Sequence, residues 1–353
     1  MPEGIALAFS GGVDSTIAAI QLARGGHEVH AVYFRMWKWR GEQYDHSEIE
    51  KRAAEISKLA PLHFASIDAS QAMEGIVIDD FRRQLAAGLT PSPCVHCNPL
   101  LKFRLLEEYA NNHGLQKIAT GHYAQVKRVN EEYTGLFQAV DLSKDQSYML
   151  CYLNQAILSR TVFPLGATEK KENKRIAKEL GLSISEQPES QDLCFLNHYD
   201  YEEFLQQASP EILIPGEITD SAGKLLGKHN GLALYTIGQR KGIRIASKEA
   251  YYVISKDVPK NRLVVGYLEE LGKSQMVVEQ VNWISGKDVV NLKCDVKIRY
   301  RAKSVPCKIS KKDGSFTYLV QFGQKMRDIT PGQFAVFYRD DEVLGGGMIA
   351  RAE

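Results

Sequence analysis

Short apolar runs alternate with amphipathic stretches over roughly the first 120 residues, and this alternation restricts the possible folds more than any other feature. Apolar runs rich in β-branched residues predict strands, and the stretches between them have the period of helices. Strands that alternate with helices wind a parallel sheet with helices on both faces. We therefore expect an α/β fold whose ligand binds beyond the carboxyl ends of the strands. The segments are, in order, GIALAF, VDSTIAAIQLARG, EVHAVYF, HSEIEKRAAEISKLA, LHFASID, FRLLEEYANNHG and KIATGHYA.

The pattern changes twice further along the chain. Helical periodicity continues through residues 170–182, and from about Ile212 the sequence breaks into short strands punctuated by glycine. The last 85 residues or so predict consecutive antiparallel strands, hence a small barrel or sandwich, of which we expect the β-barrel. We predict three domains: a doubly wound N-terminal domain over 1–200, a small mixed central domain over 201–268 and a C-terminal antiparallel β-barrel over 269–353.

Composition and charge exclude several classes of protein. The 353 residues carry a formal net charge of +1, so a nucleic-acid partner would have to bind a local basic patch. No apolar run approaches the ~20 residues of a membrane span, and the N-terminus lacks a basic-then-apolar leader. We expect a cytoplasmic protein without membrane contact. Its six cysteines are then reduced thiols, catalytic groups or metal ligands rather than a disulfide scaffold.

The first strand leads into the loop AFSGGVDST, residues 8–16. A glycine-rich turn between a strand and a helix N-terminus favours anions, because unpaired backbone N–H groups and the helix dipole converge there. The hydroxyls of Ser10, Ser15 and Thr16 add donors, and Asp14 can cap the helix or hold Mg²⁺. The loop lacks the lysine of a Walker motif, whereas SGGVDS after a strand is the fingerprint of ATP pyrophosphatases. It predicts ATP binding and adenylation but does not identify the acceptor.

Three cysteines occur in polar loops that lead into apolar runs. Cys94 and Cys97 form a C-x-x-C pair in GLTPSPCVHCNPLLKF, before a predicted helix, where a thiolate would be stabilised. Cys194 lies in PESQDLCFL. The pair could be half of a zinc site, although we find no second ligand pair; the three could hold a metal or an iron–sulfur cluster, or act as nucleophile and sulfur carrier. Three others, Cys151, Cys294 and Cys307, are in apolar contexts and are predicted to be structural.

Taken with these motifs, the whole sequence resembles the tRNA-specific 2-thiouridylases, PP-loop enzymes that replace O2 of the wobble uridine (U34) with sulfur. The resemblance runs in family order from residue 6 to residue 350. It implies an adenine nucleotide alpha hydrolase-like N-terminal domain and a central domain that contacts tRNA. The matching segments are AFSGGVDS, GLTPSPCVHCNPLLKF, ATGHYA, KDQSYMLCYL, FPLG, ESQDLCF, YTIGQRKG, KIRYR, TPGQFAVFY and VLGGG.

The resemblance also implies roles for individual residues and a reaction. ATP, with Mg²⁺, adenylates the C2 oxygen of the base; Cys194 carries the persulfide sulfur; Cys97 is the nucleophile that releases it by forming a disulfide. The ATP-binding residues would be Ala8, Phe9, Ser10, Gly11, Gly12, Val13, Asp14, Ser15, Phe34 and Gly121. The residues at the target base and the tRNA would be Ser92, Pro93, Cys94, His122, Lys144, Asp145, Gln146, Arg299, Tyr300 and Gln333.

Basic clusters at 238–244, 297–303 and 308–312 are either solvated strand faces or phosphate contacts, and Tyr300 between arginines suits base stacking. The expected partners are the anticodon loop of tRNAs for Lys, Glu and Gln and an upstream persulfide donor protein, and we expect a monomer.

Two departures from the family pattern leave alternatives open. Cys94 stands where many relatives have Asp, which puts an acid–base role there in doubt, and Phe34 stands where Met is common. With Cys94, the sequence also allows a [4Fe–4S] cluster on Cys94, Cys97 and Cys194, although we favour the persulfide route. Rival functions are another PP-loop synthetase with a small acceptor, and a non-catalytic RNA-binding protein. Release of pyrophosphate that depends on tRNA would separate them.

Overall fold

The computed structural model describes residues 3–36, 46–186, 193–196, 200–312 and 316–353. The first segments form a five-stranded parallel sheet in the order β3-β2-β1-β4-β7. The chain moves outward from β1 in one direction and then returns to the other side with β4, so the order reverses beside β1. Ligands of such sheets bind at this reversal. Its five strands are β1 (Gly4–Ala8), β2 (Glu28–Arg35), β3 (His63–Asp68), β4 (Lys117–Thr120) and β7 (Thr161–Val162). Two further strands of this region, β5 (Gln125–Arg128) and β6 (Thr134–Phe137), lie outside this sheet.

Helices cover both faces of this sheet because its strands are apolar on both sides. Leu7 packs with Ile17 of α1 in one core cluster, while the preceding Ala6 packs with Leu106 of α6 in the other. The predicted doubly wound α/β domain is thus confirmed. The α-helices are α1 (Val13–Arg24), α2 (Ser47–Ser57), α3 (Ser70–Met73), α4 (Asp79–Ala86), α5 (Pro93–Cys97), α6 (Arg104–Asn112), α7 (Gln155–Leu158), α8 (Lys170–Glu179) and α9 (Tyr201–Ala208).

Shorter helical turns complete this part of the chain. A π-helical turn over Glu74–Ile78 joins α3 to α4, and another over Asn98–Phe103 joins α5 to α6. The cysteine pair therefore lies inside a continuous helical segment. The 3₁₀ turns are Ser147–Leu150, Ser183–Glu186, Pro210–Ile212, Leu232–Leu234 and Leu268–Leu271. Within the ranges given above, no helix combines the length and apolar character needed to cross a bilayer.

The central region forms a separate four-stranded sheet in the order β10-β11-β8-β9. The β8–β11 pair is parallel and the other two pairs are antiparallel, which matches the mixed domain expected there. Alternating side chains such as Ile218, Val253 and Leu263 form its core. The strands are β8 (Gly216–Asp220), β9 (Leu225–His229), β10 (Tyr252–Asp257) and β11 (Arg262–Gly266).

The C-terminal strands close into an antiparallel barrel, as predicted. Six strands follow one another in the order β12-β15-β14-β13-β16-β17, and β17 pairs back with β12. Inside, the Trp283 ring stacks on Phe337, and its indole N–H donates to the hydroxyl of Tyr318 at 2.9 Å. The strands are β12 (Lys273–Trp283), β13 (Asn291–Lys297), β14 (Val305–Lys311), β15 (Tyr318–Met326), β16 (Phe334–Arg339) and β17 (Glu342–Ala352).

The β5–β6 hairpin of the N-terminal region is added to the barrel sheet. Residue Leu136 of β6 lies opposite Val343 of β17, and the N–H of Gln138 donates to the carbonyl of Asp341 at 2.8 Å. Both Leu136 and Val343 are buried in the core cluster that also contains Leu106 of α6. The parallel sheet and the barrel therefore share a hydrophobic core, which the local pattern of the sequence did not predict.

Candidate functional site

The nucleotide loop of the sequence lies between β1 and α1, at the reversal of strand order. The backbone conformation at residue 11 explains the glycine there, because its φ of +73° is left-handed; a Cβ at this position would also require the Ile49 side chain to move, since Cδ1 would lie 2.6 Å away. Ser15 Oγ accepts from the N–H of Ser10 at 3.2 Å and donates to the carbonyl of Gly12 at 3.1 Å. Within the described residues, no side chain caps α1, so its first N–H groups remain available to an anion.

The other residues predicted to bind the nucleotide either are buried in the core or pack against the loop. Phe9 and Val13 are buried, and the N–H of Phe9 extends the ladder to the carbonyl of Val32 at 2.8 Å. Phe34 is buried near the carboxyl end of β2. Gly121 follows β4 and packs against α1, where a Cβ would lie 3.0 Å from the backbone nitrogen of Ser15. A glycine at 121 thus lets β4 approach the loop closely.

Asp14 is held by an ion pair that the sequence did not reveal. Its two carboxylate oxygens lie 2.6 and 2.7 Å from Nζ of Lys170, the first residue of α8. The hydroxyl of Tyr123 donates to the same carboxylate at 3.0 Å, and the Asn173 amide donates to that hydroxyl at 2.9 Å. Burial raises the pKa of Tyr123, so the hydroxyl remains a donor. The loop AFSGGVDST contains no lysine, and Lys170 of α8 thus provides a lysine beside it.

A second cation contacts the loop from α2. Arg52 Nη1 donates to the carbonyl of Gly11 at 2.9 Å, and Nη2 pairs with Glu48 at 3.2 Å. Together with Lys170 it places positive charge at the mouth of the loop, where phosphates would bind. Neither residue carries a local sequence signal, since each lies in an ordinary charged helix far from the loop in sequence.

Electrostatic interactions link the three loop cysteines of the sequence. The thiols of Cys94 and Cys194 are close enough to Cys97 to raise its pKa, beyond the effect of burial, and the Lys102 ammonium opposes them. Cys97 is buried, Cys94 is half-buried and Cys194 is exposed; all six cysteines, each within the described ranges, are free. Lys102 belongs to the sequence stretch that contains the cysteine pair, where no local signal distinguishes it.

The expected stabilisation of thiolate at a helix N-terminus is wrong for this structure. Desolvation raises the pKa of Cys97 to about 12 and also raises the pKa of Cys94, despite the nearby Lys102. The reason is position, because Cys97 ends α5 and is followed by further helical turns, so it faces a packed interior. The remaining cysteines are structural in position, Cys151 and Cys307 being buried and Cys294 half-buried opposite Cys307.

His122 connects the cysteines with the nucleotide loop. It directly follows Gly121, which packs on α1, and desolvation together with Lys102 lowers its pKa well below the ordinary value. The imidazole is therefore neutral. Its Nδ1 lies 2.7 Å from Oγ1 of Thr120, and its ring stacks on that of Phe103. Lys102 thus influences both His122 and the three thiols, which places these groups in one electrostatic environment.

The predicted tRNA residues occupy the junctions around the cysteine loop. Gln333 of the barrel donates to the carbonyl of Thr90 at 2.9 Å, just before Ser92 and the buried Pro93. Arg299 donates to the carbonyl of Ile237 at 2.8 Å and to Oγ1 of Thr330 at 2.6 Å, which joins the barrel to the central region. These two side chains join the barrel to the N-terminal and central regions.

The three residues 144–146, which the sequence predicted together as tRNA contacts, differ in burial and in hydrogen bonding. Asp145 is buried, and its carboxylate accepts from the side chain of Gln138 at 3.0 Å and from the hydroxyl of Ser147 at 2.9 Å. Lys144 and Gln146 are half-buried, and Gln146 Oε1 accepts from the N–H of Tyr123 at 3.0 Å. Tyr300 is half-buried with its ring 6.0 Å from that of Tyr148. Their roles toward tRNA stay predictions.

Fold and site together define a PP-loop nucleotide-binding protein with a cysteine cluster and two appended β domains. Three family models match the chain: the tRNA methyl transferase HUP domain over residues 3–198, the tRNA methyl transferase PRC-barrel domain over 202–267 and the Aminomethyltransferase beta-barrel domain over 273–349.

Curated relatives match over nearly the full length. A tRNA-specific 2-thiouridylase MnmA of Chloroflexus aurantiacus is 40% identical, with 99% of both chains covered. That of Geotalea uraniireducens is 37% identical, covering 99% of this chain and 95% of the relative, and that of Chloroflexus aggregans is 38% identical, with 99% of both covered. The chain belongs to the tRNA-specific 2-thiouridylase family, which confirms the resemblance stated from the sequence.

Proposed function

We propose that this protein replaces O2 of the wobble uridine of tRNA with sulfur, at the expense of ATP, which is released as AMP and pyrophosphate. The observation that carries the proposal is the position of His122: it follows Gly121, which packs on the nucleotide loop, and its ring stacks on Phe103, which ends the helical turn after the cysteine pair. An adenylating loop beside a set of thiols is what sulfur transfer to an activated carbonyl requires. Membership of the 2-thiouridylase family supports the same substrate.

In the first step the loop binds ATP and the C2 oxygen of the base attacks the α-phosphate. The free N–H groups at the start of α1 and the cations Arg52 and Lys170 would bind the phosphates. Mg²⁺ would be held mainly by phosphate oxygens and water, because the Asp14 carboxylate is already paired with Lys170. The products are an O2-adenylated uridine and pyrophosphate. The oxygen has become part of a good leaving group.

In the second step Cys194, charged with an extra sulfur by an upstream donor protein, attacks C2 through its terminal sulfur. AMP leaves, and the base is linked to Cys194 through two sulfurs. Cys97 Sγ then attacks Cys194 Sγ, which breaks the S–S bond to the base and leaves 2-thiouridine. A Cys97–Cys194 disulfide remains, and an external thiol reductant returns both residues to thiols. Lys102 supports this step because its ammonium partly offsets the desolvation that raises the pKa of Cys97, which favours the attacking thiolate.

A cluster-dependent route uses the same residues, and Cys94 favours it. Cys94, Cys97 and Cys194 are free and influence one another electrostatically, and together they would supply three thiolate ligands for a [4Fe–4S] cluster with one open position. Such a cluster would present the incoming sulfur beside the nucleotide loop. Since the persulfide route needs only two of the thiols, the contribution of Cys94 distinguishes the two mechanisms.

The substrate would be the anticodon loop of tRNAs for Lys, Glu and Gln, whose wobble base can leave its stack at little cost. Lys144, Gln146 and Tyr300 are the half-buried candidates for contact with it, and Arg299 and Gln333 shape the junctions beside the cysteine loop. The protein would act as a monomer in the cytoplasm. Its units would be the predicted 1–200, 201–268 and 269–353, since the sheet architecture changes near each boundary.

The test is thiolation of a wobble-uridine tRNA transcript by metal-free protein with ATP, Mg²⁺ and a persulfide donor, read as retardation on a mercury-containing gel. We expect thiolated product with no metal present other than Mg²⁺. C97S and C194S should give no product, whereas C94S should still give it. C294S is the matched control, since Cys294 is a half-buried barrel cysteine outside the cluster. Activity that appears only after anaerobic reconstitution with iron and sulfide, and is lost in C94S, would favour the cluster route.

Release of pyrophosphate in the same reactions tests the wider proposal. We expect it to require tRNA. Release without tRNA would indicate a synthetase with a small acceptor, and no release at all would indicate an RNA-binding protein without this chemistry.

A further inference from the structure

A second group of ligand-type side chains lies at the opposite end of the parallel sheet. Glu28 and His30 share one face of β2, and His63 opens β3 directly beside His30 in the sheet register. Oε1 of Glu28 lies 3.2 Å from Nε2 of His30 and 4.0 Å from Nε2 of His63. In the described part of the chain, this is the one set of three such residues whose ligand atoms all lie within 4.8 Å of one another.

The orientation of His30 is fixed from α6. Its Nδ1 lies 3.0 Å from the hydroxyl of Tyr109, which leaves Nε2 facing Glu28 and His63. A metal-bound histidine commonly has its other ring nitrogen held by such a partner, which sets the tautomer and the ring direction. His113 stacks on Tyr109 with ring centroids 4.0 Å apart and fixes that partner in turn.

We propose that Glu28, His30 and His63 bind one divalent transition-metal ion, with zinc as the representative. Two imidazole nitrogens and one carboxylate oxygen form a borderline donor set that suits Zn²⁺, Ni²⁺ or Cu²⁺ and not Mg²⁺ or Ca²⁺. Small movements would bring the three ligand atoms to bonding distance, since Glu28 and His63 are 50% and 68% exposed. The ion would join β2 to β3 at the edge of the sheet, with water in its open positions.

This site is separate from the nucleotide loop. Glu28 begins β2 and Phe34 lies near its other end, so about 20 Å of strand separates the metal site from the nucleotide pocket. The proposal therefore does not depend on the thiolation mechanism. An ion here would stabilise the sheet rather than take part in the reaction.

The experiment is a zinc titration by calorimetry of the full-length chain carrying C94S, C97S and C194S, because free thiols would also bind zinc. We expect one equivalent to bind, and H63A and H30A each to weaken it by about 100-fold, with E28Q weakening it by 10- to 100-fold. H46A is the control, since His46 lies outside the group and should leave the titration unchanged.

A second readout identifies the donors. Cobalt(II) in the same protein should give visible d–d bands without a thiolate charge-transfer band, and these bands should disappear in H63A. His63 is largely exposed, so this variant should remain folded even if H30A does not. Stoichiometric zinc binding that survives in folded H63A, or the absence of any stoichiometric binding in the parent, would overturn the proposal.

Discussion

Lys170 and Asp14 form an ion pair across 156 residues, with Nζ within 2.7 Å of both carboxylate oxygens. The lysine side chain is only 8% exposed, so the pair is shielded from water on the lysine side. It places a fixed cation beside a loop that lacks one of its own. The nucleotide loop is therefore completed by the helix that starts at Lys170.

Replacing Lys170 with Met should weaken ATP binding about tenfold, which corresponds to about 1.4 kcal/mol. Without the lysine, the Asp14 carboxylate would repel the phosphates. Calorimetric titration with a non-hydrolysable ATP analogue measures the change. K171M is the matched control, because Lys171 lies next in α8 but is 84% exposed and pairs with Glu169 instead. Equal affinities for K170M and K171M would contradict the assignment.

Cys97 should remain protonated well above the pH at which an ordinary thiol ionises. Burial raises its pKa to about 12, so the difference in thiolate ultraviolet absorbance between wild type and C97S should stay flat up to about pH 10. The unfolded chain loses this proton first, so the contribution of Cys97 to stability is complete below about pH 9 and decreases as pH rises toward 12. A clear inflection near pH 9 in the difference titration would show that the thiol is not desolvated.

Asp145 should matter more for stability than for contact with RNA. Its buried carboxylate accepts hydrogen bonds from the N–H groups of Ala139 and Ser147 at 3.1 and 3.2 Å and lies 3.6 Å from Nζ of Lys297. D145A would leave these donors unpaired, and we expect a loss of about 3 kcal/mol in the free energy of unfolding by urea.

The control for this prediction is D341A. Asp341 also pairs with a lysine, Lys127, but both side chains are about half exposed, so its loss should change stability by no more than about 0.5 kcal/mol. If the two variants had similar unfolding free energies, and D145A instead lost tRNA affinity, the direct contact predicted from the sequence would be favoured.

Arg299 should contribute to both architecture and tRNA binding. R299A removes the bonds to Ile237 and Thr330, and it also removes one positive charge from the basic segment 297–303. We expect weaker tRNA binding with a salt dependence whose slope falls by about 1, while ATP affinity is unchanged. Filter binding over a range of salt concentrations measures it. Identical slopes for both proteins would limit Arg299 to its structural bonds.

Local signals in the sequence predicted the features that depend on neighbours along the chain. The alternation of strands and helices, Gly11 and the C-x-x-C pair each reflect constraints that act within a few residues, and the parallel sheet, loop and barrel followed from them. Cys194 was grouped with the pair because it too lies in a polar loop before an apolar run, and the family resemblance then implied its role as sulfur carrier.

The features that the sequence did not reveal depend on distant partners. The loop is approached by Lys170 and Arg52, which lie in ordinary charged helices far away in sequence. The thiols are influenced by Lys102, which lies in the helical turn after the cysteine pair. Only the fold reveals these relationships. The raised pKa of Cys97 likewise results from tertiary burial, which outweighs the local preference of a helix end.

The pairing of β6 with β17 has a consequence for the order in which the chain becomes stable. The edge of β6 that faces β17 can pair only after residues 341–343 have been synthesised, and these leave the ribosome more than 200 residues later. Until then the hairpin and the core around Leu136 are incomplete, and an open strand edge can pair with other chains. The N-terminal half should therefore need the barrel to reach its final stability, and fragments that end before β17 should aggregate.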